Sequence, residues 1–166
     1  MFKRQQATIL KSRIDEPRRF IQVIAGARQV GKSTMVKQVT SELTIPFLLT
    51  TAEEASDKNP SWISYVWRQA RQAMRYNNYP EYLLVIDEIH KLDHWSEVGK
   101  AEWDADTMRN VNLEVILLGS SRLLLKDGLT ESLAGRYELI EMEHWSFSEM
   151  REALGMSVEQ YIYYGG

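Results

Sequence analysis

Gly26-Ala27-Arg28-Gln29-Val30-Gly31-Lys32-Ser33 decides how this chain is read. The eight residues fit G-x-x-x-x-G-K-[ST], the P-loop that wraps phosphate groups. Each fixed position has a chemical reason. The glycines let the backbone pass close to phosphate oxygens with its N–H groups turned inward. The helix that follows offers its positive N-terminal end to the same anion. Lys32 can reach the β- and γ-phosphates of a triphosphate, and the Ser33 hydroxyl is a ligand for Mg²⁺. The nucleotide-lining segment expected here is Gly26, Ala27, Arg28, Gln29, Val30, Gly31, Lys32, Ser33 and Thr34.

The flanks supply the context that the motif needs. Ile21 to Ala25 reads as a short buried strand, and Met35, Val36, Val39 and Leu43 share one helical face. The plain alternative is a glycine-containing turn with no ligand. Strand, loop and helix in this order argue against it.

Strand and helix signals alternate outward from this point. Residues 3–13 read as a polar helix, with Pro17 marking the turn into the first strand. Pro46 to Thr50 reads as a second strand. Asn59 caps a helix with Pro60 at its first position, and Ile63, Val66, Trp67, Ala70 and Met74 line its apolar face. Tyr82 to Ile86 is continuously apolar, as in a strand buried on both faces. Asp93 is placed to cap a helix whose Trp95, Val98, Ala101, Ala105 and Met108 share a face. Leu113 to Leu118 and Arg136 to Ile140 read as the fourth and fifth strands. Strands separated by helices imply a parallel sheet with helices on both faces, a three-layer α/β architecture. Capping boxes at Ser146 and Ser157 open two short helices near the end, with Gly155 as the stop between them. A helix beginning so near the last residue has little to pack on. The expectation is a nucleotide-binding core over residues 1–145 and the truncated start of a helical region over 146–166.

Bulk properties narrow the class. A length of 166 residues suits one domain with a sizeable core. The absence of cysteine excludes disulfides and thiolate metal sites, and suits a cytoplasmic location. No apolar run approaches the ~18 residues of a membrane span, and the N-terminus lacks a signal-peptide core. Net charge is −3, unevenly placed: residues 1–40 hold nine Lys/Arg against two acids, so the remainder carries −10. A basic N-terminal stretch suits nucleic acid, but no RNA-binding motif accompanies it. A solvated helix face and a positive field around a polyanionic nucleotide explain it more simply.

Three further constellations bear on chemistry. Asp87-Glu88 closes the apolar strand. Ligands of open α/β sheets lie beyond the carboxyl ends of strands, so Asp87 should come near Ser33 and share Mg²⁺. Glu88 is then the residue to orient or deprotonate an attacking water. Gly119-Ser120-Ser121 ends the fourth strand and reads equally as a polar edge facing the γ-phosphate and as an ordinary turn. Arg136 is the right donor for charge on a transferring phosphoryl group, within its own chain or on a neighbour's nucleotide. From the residues alone, a surface ion pair is its simpler reading.

The order P-loop, Asp-Glu, Gly-Ser-Ser and Leu-Ala-Gly-Arg resembles that of AAA+ ATPases. More closely, it is similar to the prokaryotic AAA-domain ATPases that carry a C-terminal domain of unknown function. The stretches that carry the resemblance are Ala25–Thr34, Val85–Trp95, Val115–Leu125 and Ser132–Met150. Asp-Glu-Ile-His-Lys, Gly-Ser-Ser-Arg-Leu-Leu and Leu-Ala-Gly-Arg-Tyr-Glu-Leu are its more specific parts. The resemblance implies a P-loop sheet of strand order 5-1-4-3-2. It implies Asp87 as the Walker B acid, Glu88 as the catalytic glutamate and Ser120 or Ser121 as the sensor-1 residue. Arg136 would be an arginine finger, acting across the interface of a homo-oligomer. It also implies ATP rather than GTP as the nucleotide, and a fuller C-terminal helical lid than this chain holds.

The expected activity is Mg²⁺-dependent hydrolysis of ATP to ADP and phosphate. Two alternatives stand beside it: an ATP-gated switch with little turnover, and a P-loop kinase. His90 and His94 are four apart, but Asp93 reads as a helix start between them, which argues against a shared metal. His90, next to Glu88, is expected to face the nucleotide instead. The five tryptophans fall mostly on apolar helix faces and read as core.

Overall fold

Alternation along the strands divides the core in two. In β3 (Tyr82–Asp87), residues Tyr82 to Ile86 are all buried, but successive side chains serve opposite faces. Tyr82, Leu84 and Ile86 join one apolar cluster, and Leu83 and Val85 join the other. Helices must therefore cover both sides. The computed structural model describes residues 2–56, 58–121 and 132–165. The Arg122–Leu125 part of the stretches likened to AAA+ ATPases lies outside the described residues.

The described elements run α1 (Gln5–Ile14), β1 (Ile21–Gly26), α2 (Lys32–Thr40), β2 (Phe47–Thr51), α3 (Ser61–Asn77), β3, α4 (Trp95–Met108), β4 (Leu113–Ser120), β5 (Tyr137–Met142), α5 (Phe147–Leu154) and α6 (Val158–Tyr164). The five strands form one parallel sheet of order β2-β3-β4-β1-β5, which is the expected 5-1-4-3-2 read from the other edge. One face carries Ala7, Leu10 and Ile14 of α1 with Met35, Val36 and Val39 of α2. The other carries Ile63, Val66, Trp67, Ala70 and Met74 of α3, the face expected from spacing, with Trp95 and Trp103 of α4. The fold is a three-layer α-β-α sandwich.

Local chemistry sets most boundaries. Asn59 Oδ1 accepts from the Ser61 N–H at 2.9 Å, so Asn59 caps α3 across Pro60 as expected. Ser146 with Glu149, and Ser157 with Gln160, form complete capping boxes, and Gly155 closes α5 at φ +68°. β4 extends to Ser120, two residues beyond expectation, so Gly119 and Ser120 continue a strand rather than make a turn.

Helix α4 departs from its pattern. Asp93 does not cap it; His94 occupies that position at φ +50° with no side-chain cap. The buried stripe is Trp95, Gly99, Trp103 and Asp106, while Ala101 and Met108 are exposed. The reason is a buried polar centre. Asp106 is fully buried and accepts from Trp67 Nε1 and Arg71 Nε, both at 2.7 Å. That pairing turns an acidic residue inward and rotates the helix away from its most apolar spacing.

Four of the nine basic side chains in the N-terminal stretch are paired with carboxylates at home. Lys3 meets Glu42, Arg4 meets Glu149, Lys11 meets Asp15, and Arg13 meets Glu16 and Glu138. Arg18 lies flat over the Trp103 ring, 3.4 Å from its centroid. Among the described residues, no helix is long and apolar enough to cross a membrane.

Candidate functional site

Because every strand pair is parallel, all carboxyl ends share one edge of the sheet. Gly26 at the end of β1 is level with Ser120 of β4 and with Met142 of β5, and Thr51 of β2 is level with Asp87 of β3. The phosphate loop leaves the sheet from this edge. Its turn uses left-handed backbone at Gln29 (φ +64°) and Gly31 (φ +91°). Gly26 answers to a different constraint. A Cβ there would sit 2.2 Å from the Met142 carbonyl oxygen, so β5 excludes any side chain.

Lys32 opens α2 and is buried. Its ammonium donates to the carbonyls of Gly26 at 3.0 Å and Ala27 at 2.6 Å, inside the loop. Burial pulls it below the usual lysine range, with Glu88 and Asp87 opposing. One residue on, Ser33 Oγ donates to Asp87 Oδ2 at 2.5 Å. The sheet thus joins residues 54 positions apart in the chain. Hydroxyl and carboxylate are hard oxygen donors, and Mg²⁺ takes one or two such protein oxygens together with phosphate and water. The pair fits that ion.

Asp87 Oδ1 accepts from the Glu88 N–H at 2.7 Å. Glu88 has a left-handed backbone, φ +55°, and leads into a 3₁₀ turn, Ile89–Lys91. Its Oε2 lies 3.4 Å from His90 Nε2 and 4.0 Å from Lys91 Nζ. His90 Nδ1 accepts from the Ser120 N–H at 3.3 Å. The ring therefore faces Glu88 and the end of β4. His94 is exposed and faces Glu97, so the two histidines do not converge. Ser120 Oγ is buried and meets no hydrogen-bond partner among the described residues.

The phosphate loop and Glu88 border a cleft of about 490 Å³ lined by Arg28, Gln29, Gly31, Lys32, Ser33, Thr34, Glu53, Glu88 and Lys91. Lys91 also pairs with Glu53, from the turn after β2. Neither Lys91 nor Glu53 was singled out by the sequence; Lys91 sits inside the quoted Asp-Glu-Ile-His-Lys run, whereas Glu53 carries no local signal.

Arg136 lies elsewhere. It precedes β5, and its carbonyl accepts from the Ile21 N–H at the amino end of β1. It lies six positions before Met142, roughly 20 Å along the strand, so the phosphate loop sits at the opposite edge of the sheet. It forks onto Asp104, Nε to Oδ1 at 2.7 Å and Nη2 to Oδ2 at 3.0 Å. The Asp104 hydrogen bonds raise its pKa further.

Arg4 was also unforeseen. It is buried and donates to the carbonyls of Val30 in the phosphate loop and Glu143 beyond β5, at 3.2 and 3.0 Å. It also pairs with Glu149 of α5 at 2.8 Å. Burial works upward on the Glu149 carboxyl, but Arg4 and Ser146 outweigh it and hold it below the usual range.

Known proteins agree with this geometry. The sequence pattern of the AAA domain family matches residues 18–151. An uncharacterized protein of Haemophilus influenzae is 27% identical over 141 residues, covering 81% of this chain and 34% of that protein. The chain thus spans about a third of the length of that relative. Among solved structures, Thermotoga maritima RuvB R170A is similar in fold, with TM-score 0.58 and 17% identity over 89% of this chain and 45% of that one. With a P-loop at the carboxyl edge of a 5-1-4-3-2 sheet and a family match over most of its length, the chain belongs to the AAA domain family of P-loop ATPases.

Proposed function

We propose that the protein binds ATP with Mg²⁺ and hydrolyses it to ADP and phosphate. The observation that carries this reading is the Ser33–Asp87 contact beside buried Lys32, at the mouth of a P-loop. Residues Gly26 to Thr34 hold the phosphates through loop N–H groups and the Lys32 ammonium. Ser33 and Asp87, directly or through water, hold Mg²⁺. The ion, when bound, neutralises charge on the β- and γ-phosphates.

Glu88 orients a water for in-line attack on the γ-phosphate and takes its proton. Ser120 faces the same phosphate; its hydroxyl, which has no hydrogen-bond partner among the described residues, suits a ligand-facing role. Arg136 acts across a subunit interface, because its own phosphate loop is on the far edge of the sheet. Residues 1–145 form the nucleotide core, and 146–166 are a separate helical region. The location is cytoplasmic.

The test is ATP binding and phosphate release without added acceptor. Lys32→Ala should abolish tight binding. Glu88→Gln should keep binding and lose turnover. Hydrolysis at the wild-type rate by Glu88→Gln would remove that residue's role. Tight binding without phosphate release from the wild type would leave a switch, and transfer only to an added acceptor would leave a kinase.

A further inference from the structure

We propose that His90 is a positioning residue for Glu88, tying the carboxylate that orients the water to the end of β4. This rests on the hydrolysis reading above and extends it.

Hydrogen-bond direction determines the tautomer. The Ser120 backbone can only donate, and it reaches His90 Nδ1 at 3.3 Å. Nδ1 is therefore the acceptor, and the proton of the neutral ring sits on Nε2. Nε2 lies 3.4 Å from Glu88 Oε2, within reach of the carboxylate. The imidazole is largely buried, its side chain 11% exposed, while the Glu88 side chain stays 32% exposed toward the cleft.

The backbone supplies the approach. Glu88 takes left-handed φ, and Lys91 and Leu92 close the 3₁₀ turn onto the Glu88 and Ile89 carbonyls at 3.0 and 3.1 Å. Ile89 is buried and anchors the turn. The chain thus doubles back and sets His90 over the carboxylate two residues before it. Lys91 is a weaker candidate for this work. It is 4.0 Å from the same oxygen and is engaged by Glu53.

His90 and Lys91 both fall on Oε2, which leaves Oε1 as the oxygen to accept from water. A rigid backbone donor at Ser120 therefore sets the orientation of Glu88 through one ring. Ser120 is also the residue whose side chain is proposed to face the γ-phosphate.

The experiment compares His90→Ala, His90→Asn and His90→Gln with the wild type in the whole protein. Gln extends to the Nε2 position and can donate to Glu88; Asn reaches only the Nδ1 position. His90→Ala should lower kcat about 10- to 100-fold, the scale of a misplaced catalytic group, with KM and ATP affinity nearly unchanged. His90→Gln should recover most of kcat, and His90→Asn should not. In the nucleotide-free wild type, imidazole ¹⁵N shifts should show the Nε2-protonated tautomer.

A wild-type kcat in His90→Ala overturns the proposal. So does equal loss in all three variants together with weakened ATP binding and a lowered thermal midpoint, which marks a structural role. A wild type that binds ATP without turnover removes the hydrolysis reading and this role with it.

Discussion

Arg136 grips both carboxylate oxygens of Asp104, at 2.7 and 3.0 Å, on the sheet edge opposite to Lys32. A forked guanidinium pair fixes direction as well as charge. If Arg136 serves a neighbouring subunit, it must present a face of the molecule that its own phosphate loop does not share. Arg136→Ala and Lys32→Ala should each lose hydrolysis alone. Mixed together they should regain part of it, because one supplies an intact loop and the other an intact arginine. The readout is phosphate release against mixing ratio; a flat response at the level of the separate proteins sinks the cross-subunit role.

Asp87 offers a second test. Asp87→Asn keeps the shape but removes the charge beside Ser33. Turnover should fall by about 10²-fold or more. Half-maximal activity should move to higher Mg²⁺, while nucleotide affinity measured without the ion changes little. An unchanged Mg²⁺ titration would place the ion elsewhere.

Glu114 makes stability depend on pH. It lies buried at the amino end of β4, and burial pushes its carboxyl up to about 7; Arg18 opposes the shift and Glu81 adds to it. The folded protein therefore keeps a proton that the unfolded chain releases between about pH 4.5 and 7. The Glu114 contribution to stability should be greatest below that window, fall across it and level off above. Glu114→Gln removes the titration and should gain up to about 3 kcal/mol at pH 8, with little change at pH 4.5. Urea midpoints at several pH values decide it: parallel curves for both proteins refute the assignment.

Asp106 should be the costliest single truncation outside the nucleotide site. Asp106→Ala leaves the Trp67 indole N–H and Arg71 Nε without their acceptor in the α3–α4 interface, while Glu102 keeps the other end of the Arg71 guanidinium. Each of the two buried hydrogen bonds to the carboxylate is worth about 1.5–3 kcal/mol. Replacing Trp67, Arg71 and Asp106 together with apolar residues should cost less than Asp106→Ala alone. Thermal or urea unfolding of the two variants checks the order.

Features set by neighbours in sequence were legible before any coordinates. The P-loop octapeptide, the apolar run of β3, the Asn59 cap and both capping boxes depend on contacts within a few residues. Strand order followed from resemblance rather than from the residues alone. Helix α4 was misjudged because spacing weighs side chains one at a time. Asp106 reads as solvent-facing until Arg71 and Trp67, 35 and 39 positions away, are known to meet it. Arg4 was missed for the same reason, since its partners lie 26, 139 and 145 positions along the chain. His90 was in plain view, but the direction of its ring depends on a backbone N–H of another strand.

The carbonyl of Met142 against Gly26 separates two things that one motif appears to join. A side chain at Gly26 would strike the neighbouring strand whether or not a phosphate were ever bound. Lys32, by contrast, spends its burial on reaching two carbonyls that a smaller residue would leave to water. In a descendant that had abandoned nucleotide, architecture would still hold the first glycine in place while the lysine drifted. Of the two, the lysine is the residue whose presence testifies to use.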